Sequence, residues 1–313
     1  MNISNTANTW LSRFKIDITS STNKVFGNGR QQLEATVTVA PRNGGMITDA
    51  QLASIALVTL DDDGAYRELN GPLKASSVRD TVYEYYADTG SAPSNLVLKG
   101  PVRRKRFYIS SSRSGGSIDQ IYARISKDDN THYVTDGGSF NSSITVESIT
   151  PLRYDQSDFE LNAEDALTTS VTDIDIYFFK FKNPKLRIVK STPHNEYYSE
   201  YWNDFHNEDW YYRHCHATRT GENFNLIATW RTHYAFEIGP KRNVTIGRNT
   251  ITLNHRAGQM NLLRTVTDER IYNGPEDELE RSIWSVFDQY GNERRVEFTQ
   301  TEDGNRIGFK RFD

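Results

Sequence analysis

Apolar and polar residues alternate along most of this chain with a period of two rather than the three-and-four spacing of a helix. The clearest runs are Leu33-Glu34-Ala35-Thr36-Val37-Thr38-Val39 and Ser142-Ser143-Ile144-Thr145-Val146-Glu147-Ser148-Ile149. Successive Cβ atoms of a strand point to opposite faces, so each run reads as a strand with one buried and one wet side. The same pattern predicts strands over Phe14–Thr19, Ile55–Leu60, Val82–Tyr86, Arg106–Ser111, Ile121–Ile125 and Ile174–Phe181. It continues over Leu186–Val189, Leu226–Ile238, Thr250–Leu253, Trp284–Phe287, Val296–Thr299 and Ile307–Arg311. Clusters such as Gly27-Asn28-Gly29, Asp63-Gly64, Asn183-Pro184 and Gly291-Asn292 separate them and supply the positive-φ or pre-bent positions that turns require. Helix signals are confined to two short segments, Asp49-Ala50-Gln51-Leu52 opened by the capping residue Thr48, and Glu276-Asp277-Glu278-Leu279 after Pro275.

These features predict an all-β chain of two antiparallel, β-sandwich-like (Ig-like) domains with very little helix. Alternation lapses in the acidic stretch Tyr154-Asp155-Gln156-Ser157-Asp158, which places the expected boundary near residue 155 and gives domains 1–155 and 156–313. Over the single segment Asn28–Val39 the chain resembles the opening strands of bacterial Ig-like modules.

Composition changes the picture in one respect. Only 36% of the 313 residues are apolar, yet 15 Phe, 17 Tyr and 5 Trp concentrate buriable area in few side chains, so the core is expected to be aromatic. The net charge of -4, from intermixed acids and bases, argues against nucleic acid as a partner and against general attraction to polyanions. One cysteine, Cys215, excludes an internal disulfide. No run is apolar enough for a Sec signal peptide or a transmembrane helix, which points to the cytoplasm or to release by a leaderless route.

Candidate chemistry is concentrated in 194–216. This stretch holds His194, His206, His214, His216, Cys215 and the aromatics Tyr197, Tyr198, Tyr201, Trp202, Phe205, Trp210, Tyr211 and Tyr212. Flat rings beside short polar side chains suit a glycan or a protein surface. On this reading Tyr198, Trp202, Trp210 and Tyr212 are the anchors, while Asn203, Asp204, His206 and His216 are the hydrogen-bonding partners. His214 and His216 fall on one face of a strand and Cys215 on the other, so the thiolate cannot join the two imidazoles. No cofactor is predicted; zinc is the metal that His206, His214 and His216 would take. The bland alternative, that these residues form a polar-aromatic packing layer, predicts the same composition.

Other motifs carry less. Asp88-Thr89-Gly90-Ser91 matches the catalytic tetrapeptide of pepsin-like aspartic proteases, but no second Asp-Thr-Gly or Asp-Ser-Gly supplies the partner carboxylate. Arg103-Arg104-Lys105-Arg106 is the one concentrated positive run and reads as a solvated strand edge that discourages aggregation. Asp61-Asp62-Asp63-Gly64 reads as a hairpin turn, since it lacks the spaced ligands of a calcium loop. The expectation is therefore a non-enzymatic binding module, in the manner of a secreted virulence or particle-associated factor, with self-association among its properties. A β-pore-forming or insecticidal-type toxin and a metal-dependent hydrolase are the alternatives.

Overall fold

The computed structural model describes residues 7–86, 101–194, 213–220, 227–246, 248–267, 282–301 and 306–312, with backbone alone for 213–220, 227–232 and 300–301. The chain is all-β apart from one short α-helix and two single 3-10 turns among the described residues. It divides into two compact units, Met1–Leu152 and Arg153–Asp313.

The first unit contains β1 (Leu11–Ile18), β2 (Lys24–Phe26), β3 (Leu33–Pro41), α1 (Asp49–Ala53), β4 (Ala56–Leu60) and β5 (Tyr66–Glu68). These are followed by β6 (Leu73–Ser76), β7 (Arg103–Ser111), β8 (Ile118–Asp128), β9 (Thr131–Val134) and β10 (Ile144–Ile149). One sheet runs β1-β3-β7-β6 and the other β2-β10-β8-β4-β5, with β9 also paired to β8. The inward positions of the first sheet, among them Phe14, Ile16, Val37, Val39, Phe107 and Ile109, share one core with Leu57, Ile121, Ala123, Ile125 and Val146 of the second. Period-two alternation is what lets each strand give that core one face. The sheets are antiparallel as expected except for the pair β2–β10, which is parallel. No tight hairpin joins two strands so distant in sequence, so nothing local imposes the antiparallel direction.

The strand expected over Val82–Tyr86 is corrected, because the segment is not a strand. Tyr83 is buried, while the carbonyls of Glu84 and Tyr86 accept from Gln31 Nε2 at 3.1 Å and Ser21 Oγ at 3.3 Å. Side chains thus satisfy backbone groups that a ladder would otherwise have to pair.

Helix α1 opens with a capping box. Thr48 Oγ1 accepts from the Gln51 amide at 3.1 Å, and Gln51 Oε1 accepts from the Thr48 amide at 3.0 Å. A helix this short does not persist alone, and β7 holds it at both ends. Arg103 donates to the Ile47 carbonyl at 3.0 Å and pairs with Asp49 at 2.7 Å, while Lys105 Nζ donates to the carbonyls of Ala53 and Ile55, each at 2.7 Å. Desolvation beneath the helix holds the Lys105 ammonium pKa below its ordinary value. Half of the basic run is therefore a clamp, and strand alternation sends Arg104 and Arg106 to the opposite face.

The second unit begins with β11 (Phe159–Thr168), β12 (Thr172–Phe181), β13 (Ile188–Pro193), β14 (Arg213–Thr220), β15 (Ile227–Ala235) and β16 (Arg242–Ile246). It ends with β17 (Asn249–Leu253), β18 (Met260–Thr267), β19 (Ser282–Asp288), β20 (Glu293–Thr301) and β21 (Arg306–Arg311). A five-stranded sheet, β11-β12-β18-β15-β14, lies between a four-stranded sheet, β13-β19-β20-β21, and the hairpin β16-β17. On one face Tyr177, Phe179, Met260 and Leu262 pack against Trp284, Val286, Val296 and Phe298. On the other, Ile174, Ile176, Phe178 and Leu263 pack against Val244, Ile246, Ile251 and Leu253. Neither β11 nor β18 is among the predicted strands, although Phe159-Glu160-Leu161-Asn162-Ala163-Glu164 of β11 does alternate. Two-sided burial makes β18 continuously apolar at Met260–Leu263 apart from the buried Asn261, and β11 is exposed over residues 162–166.

The start of this unit is tied to the β19–β20 turn. The buried Asp288 carboxylate accepts from Tyr154 Oη at 2.5 Å, from the Tyr290 and Asn292 amides at 2.8 Å and from Asn292 Nδ2 at 2.9 Å. Burial, reinforced by that carboxylate, pushes the Tyr154 hydroxyl pKa well up.

One glycine gives a sharp test of the first unit. A Cβ on Gly27 would stand 2.1 Å from the Arg113 carbonyl oxygen, whereas one on Gly71 would meet nothing within 4 Å. Gly27→Ala should lower the unfolding free energy by about 1–3 kcal/mol, and Gly71→Ala should leave it within about 0.5 kcal/mol, as read from urea denaturation.

Candidate functional site

The predicted site divides at the start of β14. Tyr198, Trp202, Asn203, Asp204, His206, Trp210 and Tyr212 lie outside the described residues. So do the tetrapeptide Asp88-Thr89-Gly90-Ser91 and the helical segment expected after Pro275. The stretch 195–212 joins the end of β13, an edge strand of the four-stranded sheet, to β14, an edge strand of the five-stranded one. Those edges lie on the same side of the unit, since the Ile238 amide, just beyond β15, donates to Ser191 Oγ of β13 at 2.9 Å. His214 and His216 stand in β14 opposite His233 and Arg231 of β15, with Cys215 opposite Thr232 in the alternate register.

Followed across the sheet, that register assembles a row of ionisable residues. Asp175 of β12 is opposite Arg264 of β18, Arg264 is opposite His233 of β15, and His233 is opposite His214. Two residues further along each strand come Asp173, Val266, Arg231 and His216. Two residues in the other direction come Tyr177, Leu262 and Ala235, which belong to the core. One face of the sheet thus passes from apolar to ionisable within a single pleat.

The centre of the row is Arg264, which is 7% exposed. Its Nη1 donates to Asp175 Oδ2 at 2.6 Å and to Asp173 Oδ2 at 2.8 Å. A guanidinium leaves water at such a depth only when its charge is matched, and the two carboxylates match it. Burial raises the pKa of the Asp175 carboxyl above its ordinary value; the neighbouring Asp173 and Asp165 charges add to the rise and Arg264 opposes it. His233 is 1% exposed. Burial also raises the Tyr177 hydroxyl pKa. Sequence reasoning passes over Asp173, Asp175 and Arg264, although the signal is present. In Thr172-Asp173-Ile174-Asp175-Ile176 the acids recur at one strand parity, and Arg264 interrupts the buried run Leu262-Leu263-Arg264-Thr265.

A second polar group occupies the other face of the four-stranded sheet. His194 Nε2 lies 2.9 Å from Ser285 Oγ, and Ser285 Oγ donates to Glu293 Oε1 at 2.5 Å. A nucleophilic serine gives its proton to a histidine that a carboxylate orients. Here the serine sits in the middle and its single proton is directed at Glu293, so His194 is the donor in the first bond. The chain of bonds anchors the end of β13 and does not activate Ser285. Among the described residues no three His, Cys, Asp or Glu side chains are placed to hold a metal ion. Of the zinc candidates, His206 lies outside the described residues, and His214 and His216 are placed by backbone register alone.

A scan against protein-family models finds none that matches the chain, and a search of curated proteins finds no match.

The Asp173–Arg264–Asp175 cluster has testable energetics. Arg264→Met leaves two carboxylates uncompensated and should cost about 2 kcal/mol, less than for a fully buried pair because Asp173 keeps much of its contact with water. A carboxyl whose folded pKa is raised holds its proton more tightly in the folded state. Its contribution is therefore greatest below the unfolded value of about 3.9 and falls as pH rises through the folded pKa. Asp175→Asn should accordingly gain stability relative to wild type as pH rises across that window, measured as the difference in urea unfolding free energy; a relative loss would mean that attraction to Arg264 outweighs burial.

Proposed function

We propose that the protein is a non-enzymatic binding module and that the 194–216 segment is its recognition surface, with a glycan or the surface of another protein as ligand. The reading is supported by the composition of the segment and by the strands that flank it. A stretch dense in Trp and Tyr follows β13 and precedes β14, each an edge strand of its sheet, and β14 carries His214 at the end of the row that runs from Asp175 through Arg264 and His233. Recognition residues are commonly carried on connections held at both ends by rigid strands.

In this reading Tyr198, Trp202, Trp210 and Tyr212 stack on the ligand, and Asn203, Asp204, His206 and His216 take its hydroxyls or amides. Aromatic side chains of this kind bring large contact area at small rotamer cost. The near-balanced net charge of -4 supports a neutral or mixed ligand over nucleic acid. Among the described residues no helix is long and apolar enough to cross a membrane.

The test is a glycan array followed by a pull-down with candidate protein partners, using wild type and the double variant Trp202→Ala/Trp210→Ala. Loss of two stacking anchors should weaken binding by roughly 30-fold or more for each, about 2 kcal/mol per hot-spot residue, and leave the unfolding midpoint unchanged. A fall in stability of about 3–5 kcal/mol, as for a buried aromatic, would show that these residues are core and would overturn the reading.

A further inference from the structure

The outward face of β1, β3 and β7 in the first unit collects positive charge that the overall balance conceals. Register places Arg13 opposite Ala40; Lys15 opposite Thr38, and Thr38 opposite Arg104; Asp17 opposite Thr36, and Thr36 opposite Arg106. Cross-strand neighbours lie about 4.8 Å apart and residues two apart on a strand about 7 Å apart. The four cations are therefore gathered on one small patch, with Asp17 as the carboxylate in these rows. All four are exposed, with side-chain values of 56% for Lys15 and 69% for Arg106. Thr36 and Thr38 beneath them are each 7% exposed, so the long basic side chains flank a low floor of hydroxyl residues.

The next row ends the strip. There Glu34 accepts from Thr19 Oγ1 at 2.7 Å and from Tyr85 Oη at 3.1 Å, and its carboxylate is 3.8 Å from Arg106 Nε. Asp17 is paired with Lys15 at 2.5 Å. Arg103 and Lys105, which face the other way, are engaged by α1 and take no part.

We propose that this face is a second binding surface, for a linear sulfated polysaccharide. A flat cationic sheet face complements a polymer that repeats its anionic groups along an extended chain. The rows from Arg13 to Arg106 offer no large apolar side chain to enter a lipid surface, and the nearest aromatic rings, Tyr108 opposite Glu34 and Tyr85 bonded to it, lie one row beyond and are half-buried. The inference involves the first unit alone and is independent of the 194–216 reading.

The experiment uses the full chain and heparin as the probe, with desulfated heparin as its control, over a series of salt concentrations. The variants are Lys15→Ser/Arg104→Ser/Arg106→Ser on the face and Lys182→Ser/Lys185→Ser/Lys241→Ser, which removes the same charge from exposed positions in the second unit. Wild type should bind heparin with an affinity that falls as salt rises and should not bind the desulfated polymer. The face variant should bind roughly tenfold or more weakly at an unchanged thermal midpoint, and the second-unit variant should bind as wild type. Arg104→Ser alone, with an intermediate loss, covers the case in which the triple variant fails to fold. Absence of wild-type binding, or equal weakening by both triple variants, would overturn the proposal. So would face-dependent binding to phosphatidylserine vesicles without binding to heparin.

Discussion

A sheet buried on both faces has no wet side on which to place charge, and the second unit is organised around that constraint. β12 and β18 are the inner strands concerned. Their alternate residues serve two cores, one against Trp284 and Phe298 and one against Val244 and Leu253. A charge in these strands must therefore be matched within the protein or moved to an end. Arg264 is matched by Asp173 and Asp175 on the neighbouring strand, and the three stand where the apolar face gives out. The same row continues by register through His233 to the edge strand β14. The polarity of the candidate site and the two-sided burial of the sheet are thus two consequences of one arrangement.

Aromatic residues make that arrangement workable in a chain of low apolar content. Phe159 stacks on Phe179 at 5.0 Å, Phe179 meets Phe298 edge-on at 5.2 Å and Phe309 at 5.0 Å, and Tyr154 lies 4.7 Å from Phe181. Each ring buries area that would otherwise need more than one aliphatic side chain, and offset or edge contacts suit the ring quadrupoles. Tyr154 adds a polar tip, which Asp288 accepts, so that packing and turn geometry are fixed by one residue. The first unit relies instead on aliphatic alternation, with Val37, Val39, Ile121 and Ile125 typical of its core.

Legibility from sequence follows the same physical division. β10, with one wet face, and β3, whose outward Thr36 and Thr38 are polar though buried, announce themselves by period two, and the Thr48–Gln51 capping box is readable residue by residue. β18 is not, because burial on both sides erases alternation; β11 alternates over Phe159–Glu164, but the acidic stretch before it and the Asp165–Leu167 bulge after it keep the run short. Val82–Tyr86 alternates without joining a ladder because side-chain donors satisfy its carbonyls. The basic run Arg103–Arg106 is visible as charge, but its division into a helix clamp and an outward pair depends on the position of α1. In the candidate site, His214 and His216 are conspicuous by composition, whereas Asp175, Arg264 and His233 join them only through register across four strands.

A recognition role for 194–216 requires that the second unit fold without the side chains of 195–212. The direct test replaces that segment with a flexible Gly/Ser linker long enough to span the two edges and follows amide hydrogen exchange in the second unit. If the account holds, the amides of β12 and β18 keep the slow exchange of a doubly covered sheet after the replacement. Loss of that protection would mean that the aromatic segment is part of the core, and the account would be wrong.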